Sequence, residues 1–211
     1  MRSDPIGRTL IKICGVTSMA DASACVDLGA DAIGLNFWPS SKRRCAFDEA
    51  RRIADAVGAR TRVVAVFVDA EREAIERVRG ETGIEWAQLH GSEPPALVSA
   101  LLPHAYKAAH VIDASSLATA LGTPGEELLV DASVPGVPGG TGRTCDWALA
   151  AQLASARRVW LAGGLRPDNV AEAIAQVSPF GVDVASGVER TPGVKDHELV
   201  RAFVDATRSA G

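Results

Sequence analysis

The 211-residue sequence predicts an α/β fold, a single-domain (β/α)8 TIM barrel over residues 1–211. Three observations carry this. Strand-like and helix-like segments alternate strictly through eight units with short connections and no linker, the pattern of a parallel sheet with its helices outside. Eight units are what a closed barrel needs, and the length is near that fold's lower limit. The glycines crowd the ends of the sixth, seventh and eighth strands, whereas a doubly wound dinucleotide binder would carry a glycine fingerprint after its first.

Leu10–Cys14 reads as the first strand. Ile11 and Ile13 share one face, and Lys12 and Cys14 share the other. Gly15 lets the chain turn away and leaves Cys14 at the tip. Ser18, with Asp21 three residues on, caps a helix over Met19–Leu28 in a box-like arrangement, and Gly29 stops it. Asp31–Phe37 is the second strand and runs into the basic loop Trp38-Pro39-Ser40-Ser41-Lys42-Arg43-Arg44. A helix with a charged face follows over Phe47–Val57. Arg62–Asp69 is almost wholly apolar, as expected of a strand covered on both faces. Glu71–Arg79 is helical. Ile84–His90 is the fourth strand, with Gln88 and His90 on one face, and Pro94 and Pro95 sit in the first turn of the next helix. His104–Ala109 and Ser115–Leu121 form the fifth unit. Glu127–Asp131 is a strand ending on a carboxylate, followed by the glycine- and proline-rich loop Ser133–Gly142 and a helix over Trp147–Ala156. Arg158–Ala162, tipped by Gly163-Gly164, precedes a helix opened by Pro167 and running through Val177. Phe180–Ala185, tipped by Ser186-Gly187, and an amphipathic helix over Lys195–Arg208 complete the eighth unit.

Composition narrows the function classes. The chain is 47% hydrophobic and 23% charged, ordinary for a globular protein. A net charge of −4 speaks against a nucleic acid or an anionic membrane surface as partner. No apolar run is long enough to span a bilayer, and Met1–Leu10 has no apolar core of the kind a secretory signal needs. Cys14, Cys25, Cys45 and Cys145 form no Cys-x-x-Cys pair, which argues against a zinc ribbon or a thioredoxin motif. Free thiols without an export signal are expected in the cytoplasm.

In a barrel, chemistry collects at the C-terminal strand ends. Cys14, His90 and Asp131 lie there, and Arg43 lies in the loop after the second strand. The three strand-end residues each have a plainer reading. A free cysteine is often a small buried hydrophobe, a strand-end aspartate can cap a turn, and His90 reads as a structural histidine or as a substrate contact. The four tryptophans read as packing. Gly163-Gly164 and Ser186-Gly187, in successive units, read as a phosphate site where backbone amides converge on an anion. Lys12 is costly to bury unpaired. The eighth strand of a closed barrel lies beside the first, so Asp183 is the expected inward partner. The ammonium should lower the pKa of Cys14, with Asp183 cancelling part of its field to leave a small net shift.

Several motifs occur in order. They are Lys12-Ile13-Cys14-Gly15-Val16-Thr17, Trp38-Pro39-Ser40-Ser41-Lys42-Arg43, Gln88-Leu89-His90-Gly91, Gly139-Gly140-Thr141-Gly142 and Leu161-Ala162-Gly163-Gly164-Leu165. Asp183-Val184-Ala185-Ser186-Gly187-Val188-Glu189 and Pro192-Gly193-Val194-Lys195-Asp196 complete the set. Together they resemble the phosphoribosylanthranilate isomerase family of tryptophan biosynthesis, from Lys12 nearly to the C-terminus. Arg143 stands where lysine is common in that family, and Cys145 where phenylalanine is common. The resemblance implies a (β/α)8 barrel and an Amadori rearrangement of N-(5-phosphoribosyl)anthranilate by general acid–base catalysis, with no metal or other cofactor. It implies Cys14 as base, Asp131 as acid, and Arg43 as holder of the anthranilate carboxylate, for which a planar fork is well shaped. The expected partner is a small phosphorylated substrate, and the expected state a monomer or homodimer. A rival barrel enzyme would need other residues. Indole-glycerol-phosphate synthase needs a catalytic lysine and glutamates on its strand ends, and a metal-dependent epimerase needs a fuller His and Asp ligand set. A non-catalytic phosphometabolite-binding protein would have no use for an exposed thiol opposite a carboxylate.

Overall fold

A computed structural model describes residues 8–131 and 147–210. The loop Ser133–Gly142, with its Gly139-Gly140-Thr141-Gly142 motif, and the departures Arg143 and Cys145 lie outside the described residues. The elements run β1 (Leu10–Cys14), α1 (Met19–Asp27), β2 (Ala32–Asn36), α2 (Phe47–Val57), β3 (Arg62–Phe67), α3 (Arg72–Thr82), β4 (Trp86–Leu89), α4 (Pro95–Ala100), β5 (Ala105–Ala109) and α5 (Ala114–Leu121). They continue with β6 (Glu127–Asp131), α6 (Trp147–Ala156), β7 (Arg158–Ala162), α7 (Val170–Val177) and β8 (Gly181–Val184). A 3-10 turn (Ser186–Val188), the short strands β9 (Glu189–Thr191) and β10 (Val194–Lys195), and α8 (His197–Ala210) follow. Strands β1 to β8 form a closed parallel barrel, β8 returning beside β1 with Lys12 opposite Asp183.

Alternation sorts the barrel residues into two cores. Ile11, Ile13, Ile33, Leu35, Val63 and Ala65 face outward and pack under the helices. Ala32, Val64, Tyr106, Leu129, Trp160 and Ala162 fill the interior. A fully buried isoleucine such as Ile11 or Ile13 contributes about 1.5–3 kcal/mol, so β1 is held firmly in the register that turns Lys12 and Cys14 inward. At the N-terminal end the interior is closed by polar contacts. The Arg62 guanidinium lies 4.0 Å from the Trp86 ring centroid and bonds Glu127 at 2.7 Å, and Trp160 Nε1 also donates to Glu127 at 2.7 Å.

Three sequence expectations need correction. α3 runs on to Thr82, because the residue that ends it is Gly83, in the left-handed region at φ 72°, rather than Arg79. The segment from Lys195 is not the start of the last helix. Gly193, at φ 88°, lets β9 and β10 pair antiparallel, and α8 begins only after Asp196, whose Oδ1 accepts from the amides of Glu198 and Leu199. Trp38 is 40% exposed and lies outside the buried core. No helix among the described residues is long and apolar enough to cross a membrane.

Candidate active site

The tip of β1 is built by glycines on either side of it. Gly15 adopts φ 73° and donates to the Gly34 carbonyl at 2.9 Å, which ends the strand and leaves Cys14 a residue of intermediate exposure at its tip. Gly34 on β2 lies beside Cys14 in register, and a Cβ there would sit 2.8 Å from Cys14 Sγ and 3.2 Å from Lys12 Nζ. Glycine at 34 therefore makes the room that the thiol and the ammonium occupy.

Lys12 and Asp183 form the expected inward pair. Nζ donates to Asp183 Oδ2 at 3.0 Å, with the lysine side chain fully buried and the aspartate 7% exposed. Burial opposes the ammonium charge, but Asp183, Cys14 and Tyr106 together outweigh it and raise the Lys12 pKa. The effect on Cys14 differs from expectation. Burial of the thiol is the largest influence and pushes its pKa up. Lys12 and Lys195 pull it down, while Asp183 adds to the rise, and the net direction is upward. Desolvation of the thiolate outweighs the pull of the neighbouring ammonium groups.

Asp131 and His90 meet at the tips of β6 and β4. His90 Nε2 is 3.6 Å from Asp131 Oδ2, both side chains being partly exposed. The ring is oriented from below: Tyr106 Oη donates to Gln88 Oε1 at 3.0 Å, and the Gln88 amide nitrogen lies 2.9 Å from His90 Nδ1. With Nδ1 held against Gln88, the ring presents Nε2 to Asp131. The loop beyond is pinned by Glu93, which accepts from the amides of Asp69 and Gly91, and by Lys107, which donates to the Leu89 and Gly91 carbonyls. His90, His110 and Asp131 each present one ligand atom, all within 4.8 Å of one another, so they are the described residues that could gather round a metal ion.

Arg43 reaches over Gly15 toward Cys14, close enough that a Cβ on Gly15 would meet Arg43 Cδ at 2.6 Å. Its guanidinium is already engaged. Nε and Nη2 bond the Glu189 carboxylate at 2.9 and 2.7 Å, and that hydrogen bonding raises the Arg43 pKa. Gly163 and Gly164 both adopt left-handed angles, φ 93° and 67°, in the turn after β7. A Cβ on Gly187 would lie 2.0 Å from the Leu165 carbonyl oxygen, so the 3-10 turn after β8 packs directly on the loop after β7. The two glycine pairs read as a phosphate site thus belong to adjoining loops.

Sequence reasoning assigned no site role to Gly34, Gln88, Tyr106, Glu189 or Lys195. Glu189 and Lys195 carry a readable signal, being charged residues inside the glycine motifs 186–189 and 192–196. The helical reading of Lys195 onward hid it.

Comparison with known proteins bears on this geometry. A family model described as "PRAI: N-(5'phosphoribosyl)anthranilate (PRA) isomerase" matches residues 11–206. A protein of Geobacter sp. (strain M21) named N-(5'-phosphoribosyl)anthranilate isomerase is 43% identical over 196 residues, 93% of this chain and 96% of the relative. The crystal structure of phosphoribosyl anthranilate isomerase from Thermotoga maritima superposes with a TM-score of 0.87 at 38% identity, covering 95% of this chain and 99% of that one. A structure of such an isomerase in complex with reduced 1-(o-carboxyphenylamino)-1-deoxyribulose 5-phosphate matches with a TM-score of 0.84 at 36% identity, covering 95% and 99%.

Proposed function

The chain belongs to the N-(5'-phosphoribosyl)anthranilate isomerase family, enzymes of tryptophan biosynthesis, and from that premise we propose how its barrel mouth performs the isomerisation. The reaction is an Amadori rearrangement of an aminoaldose to an aminoketose. Asp131 acts as general acid and protonates the furanose ring oxygen, so that the ring opens to an iminium. Cys14, as thiolate, removes the proton from the second sugar carbon, and the resulting enolamine tautomerises to 1-(2-carboxyphenylamino)-1-deoxyribulose 5-phosphate. The adjacent cationic iminium acidifies that carbon, so a thiolate is a sufficient base. His90 orients the Asp131 carboxyl through Nε2 and lines the substrate site. Arg43 holds the anthranilate carboxylate, and the amides of Gly163, Gly164, Ser186 and Gly187 hold the phosphate.

The observation that carries this reading is the placing of Cys14 and Asp131, both partly exposed, at the C-terminal ends of β1 and β6 of one closed barrel, with Arg43 packed over Gly15, the residue that follows Cys14. A base and an acid on well-separated strands can address a sugar from two sides. The place of action proposed for this biosynthetic enzyme is the cytoplasm, in keeping with a sequence whose cysteines form no Cys-x-x-Cys pair. The test is direct. Purified protein is incubated with freshly generated phosphoribosylanthranilate, and loss of anthranilate fluorescence is followed. Enzyme-dependent loss with formation of the aminoketose is expected, and a rate equal to the spontaneous decay of the substrate overturns the reading.

A further inference from the structure

Glu189 and Lys195 stand outside the acid–base chemistry, yet both are buried in the barrel mouth. Glu189 has a side chain only 4% exposed, and it accepts from four donors: Arg43 Nε and Nη2, Lys195 Nζ at 2.9 Å and the Gly193 amide at 3.1 Å. That fills the acceptor sites of a carboxylate. Lys195 has a fully buried side chain, and its ammonium also donates to the Cys14 carbonyl at 2.6 Å and the Ala185 carbonyl at 3.3 Å. One ammonium thus ties the tip of β1, the end of β8 and the carboxylate that grips Arg43. The β9–β10 hairpin exists in a form that delivers both residues to this point.

We propose that Glu189 and Lys195 are positioning residues that make Arg43 a selective receptor for the carboxylate of the substrate. The inference rests on the reading of Arg43 as that carboxylate's partner. Glu189 takes the edge of the guanidinium formed by Nε and Nη2. Two of the five N–H groups are used, and the edge formed by Nη1 and Nη2 stays available for a second planar carboxylate. Charge is the second half of the device. Arg43 and Glu189 alone sum to zero and would offer an anion little attraction. Lys195 restores a net charge of +1 to the three groups, and because its side chain is buried the added charge is weakly screened. Glu189 is ionised in this setting: burial pushes its pKa up, but Arg43 and Lys195 together hold it below the usual carboxylate range.

The test compares binding of two stable probes, the reduced carboxyphenylamino-deoxyribulose phosphate and its phenylamino counterpart lacking the carboxyl, by calorimetric titration. Arg43→Met is expected to lower the preference for the carboxylated probe by roughly tenfold to a hundredfold. If it does not, the reading of Arg43 fails before this proposal is reached. With Arg43 confirmed, Lys195→Met is expected to lose most of the same preference while the phenylamino probe still binds. Lys195→Arg should retain the preference. The double variant Lys195→Met/Glu189→Gln brings the net charge back to +1 and should regain part of it. A purely structural lysine would lower the melting temperature and leave the ratio of affinities unchanged. That outcome, or a double variant no better than Lys195→Met, overturns the proposal. Should Lys195→Met fail to fold, the double variant and Lys195→Arg carry the same decision.

Discussion

Removing either partner of the Lys12–Asp183 pair tests stability and chemistry together. Lys12→Met leaves the Asp183 carboxylate buried without its counter-charge, and its Oδ1 already has no hydrogen-bond partner. Breaking a buried pair in this way costs about 3–5 kcal/mol, equivalent to a fall in Tm of about 6–20 °C for a protein of this size. The two single variants diverge at the thiol. Lys12→Met removes an influence that lowers the Cys14 pKa and keeps one that raises it, so the thiol titrates still higher. Asp183→Asn does the reverse, and Cys14 titrates lower than in the wild type. The assay is the pH dependence of alkylation by iodoacetamide, with the same measurement in Cys14→Ser as background, beside a thermal melt. With the Cys14 thiolate proposed as the base, kcat/KM at neutral pH is expected to follow the same order, falling in Lys12→Met. The double variant Lys12→Met/Asp183→Leu replaces two buried charges with apolar volume and should regain most of the lost stability. Thiol titrations that move the same way in both single variants would refute the electrostatic reasoning. Stability losses that simply add in the double variant would refute the pairing.

Other outcomes follow from the same geometry. Cys14→Ser and Asp131→Asn should each lower turnover by roughly 10²–10⁴-fold with little change in affinity for the reduced product probe, and near-normal turnover would remove that residue from the mechanism. Arg43→Ala should act mainly on KM, so a fall confined to kcat would contradict its role in binding. Gly34→Ala places a methyl 2.8 Å from Cys14 Sγ, and the thiol must shift; activity should fall more than stability, and an unchanged kcat would show that the thiol position is not critical. Sulfate soaked into crystals is expected on the amides of Gly163, Gly164, Ser186 and Gly187, and a sulfate bound elsewhere in the mouth would overturn the phosphate assignment.

The barrel and much of its mouth were legible in the sequence because local rules govern them. Period-2 alternation within β1 put Lys12 and Cys14 on one face. Closure of eight parallel units put β8 beside β1, which was enough to pair Lys12 with Asp183 across 171 residues. Three things were decided only by the tertiary structure. The first is the direction of the Cys14 shift, since desolvation depends on how completely neighbouring strands and side chains cover the thiol, and no pattern of charges along the chain reports that. The second is the orientation of His90, which is set by Gln88 on its own strand and Tyr106 on the next, and so needs register between strands as well as alternation within one. The third is the engagement of Arg43. Its partner Glu189 is 146 residues away on a hairpin whose existence depends on one left-handed glycine, Gly193, and on Asp196 delaying the last helix. Sequence periodicity assigns such a segment to the helix that follows it, because two strand residues are too few to show a period of their own. Only when the chain is folded back on the barrel do Lys195 and Glu189 come to lie against Arg43 and the carbonyl of Cys14.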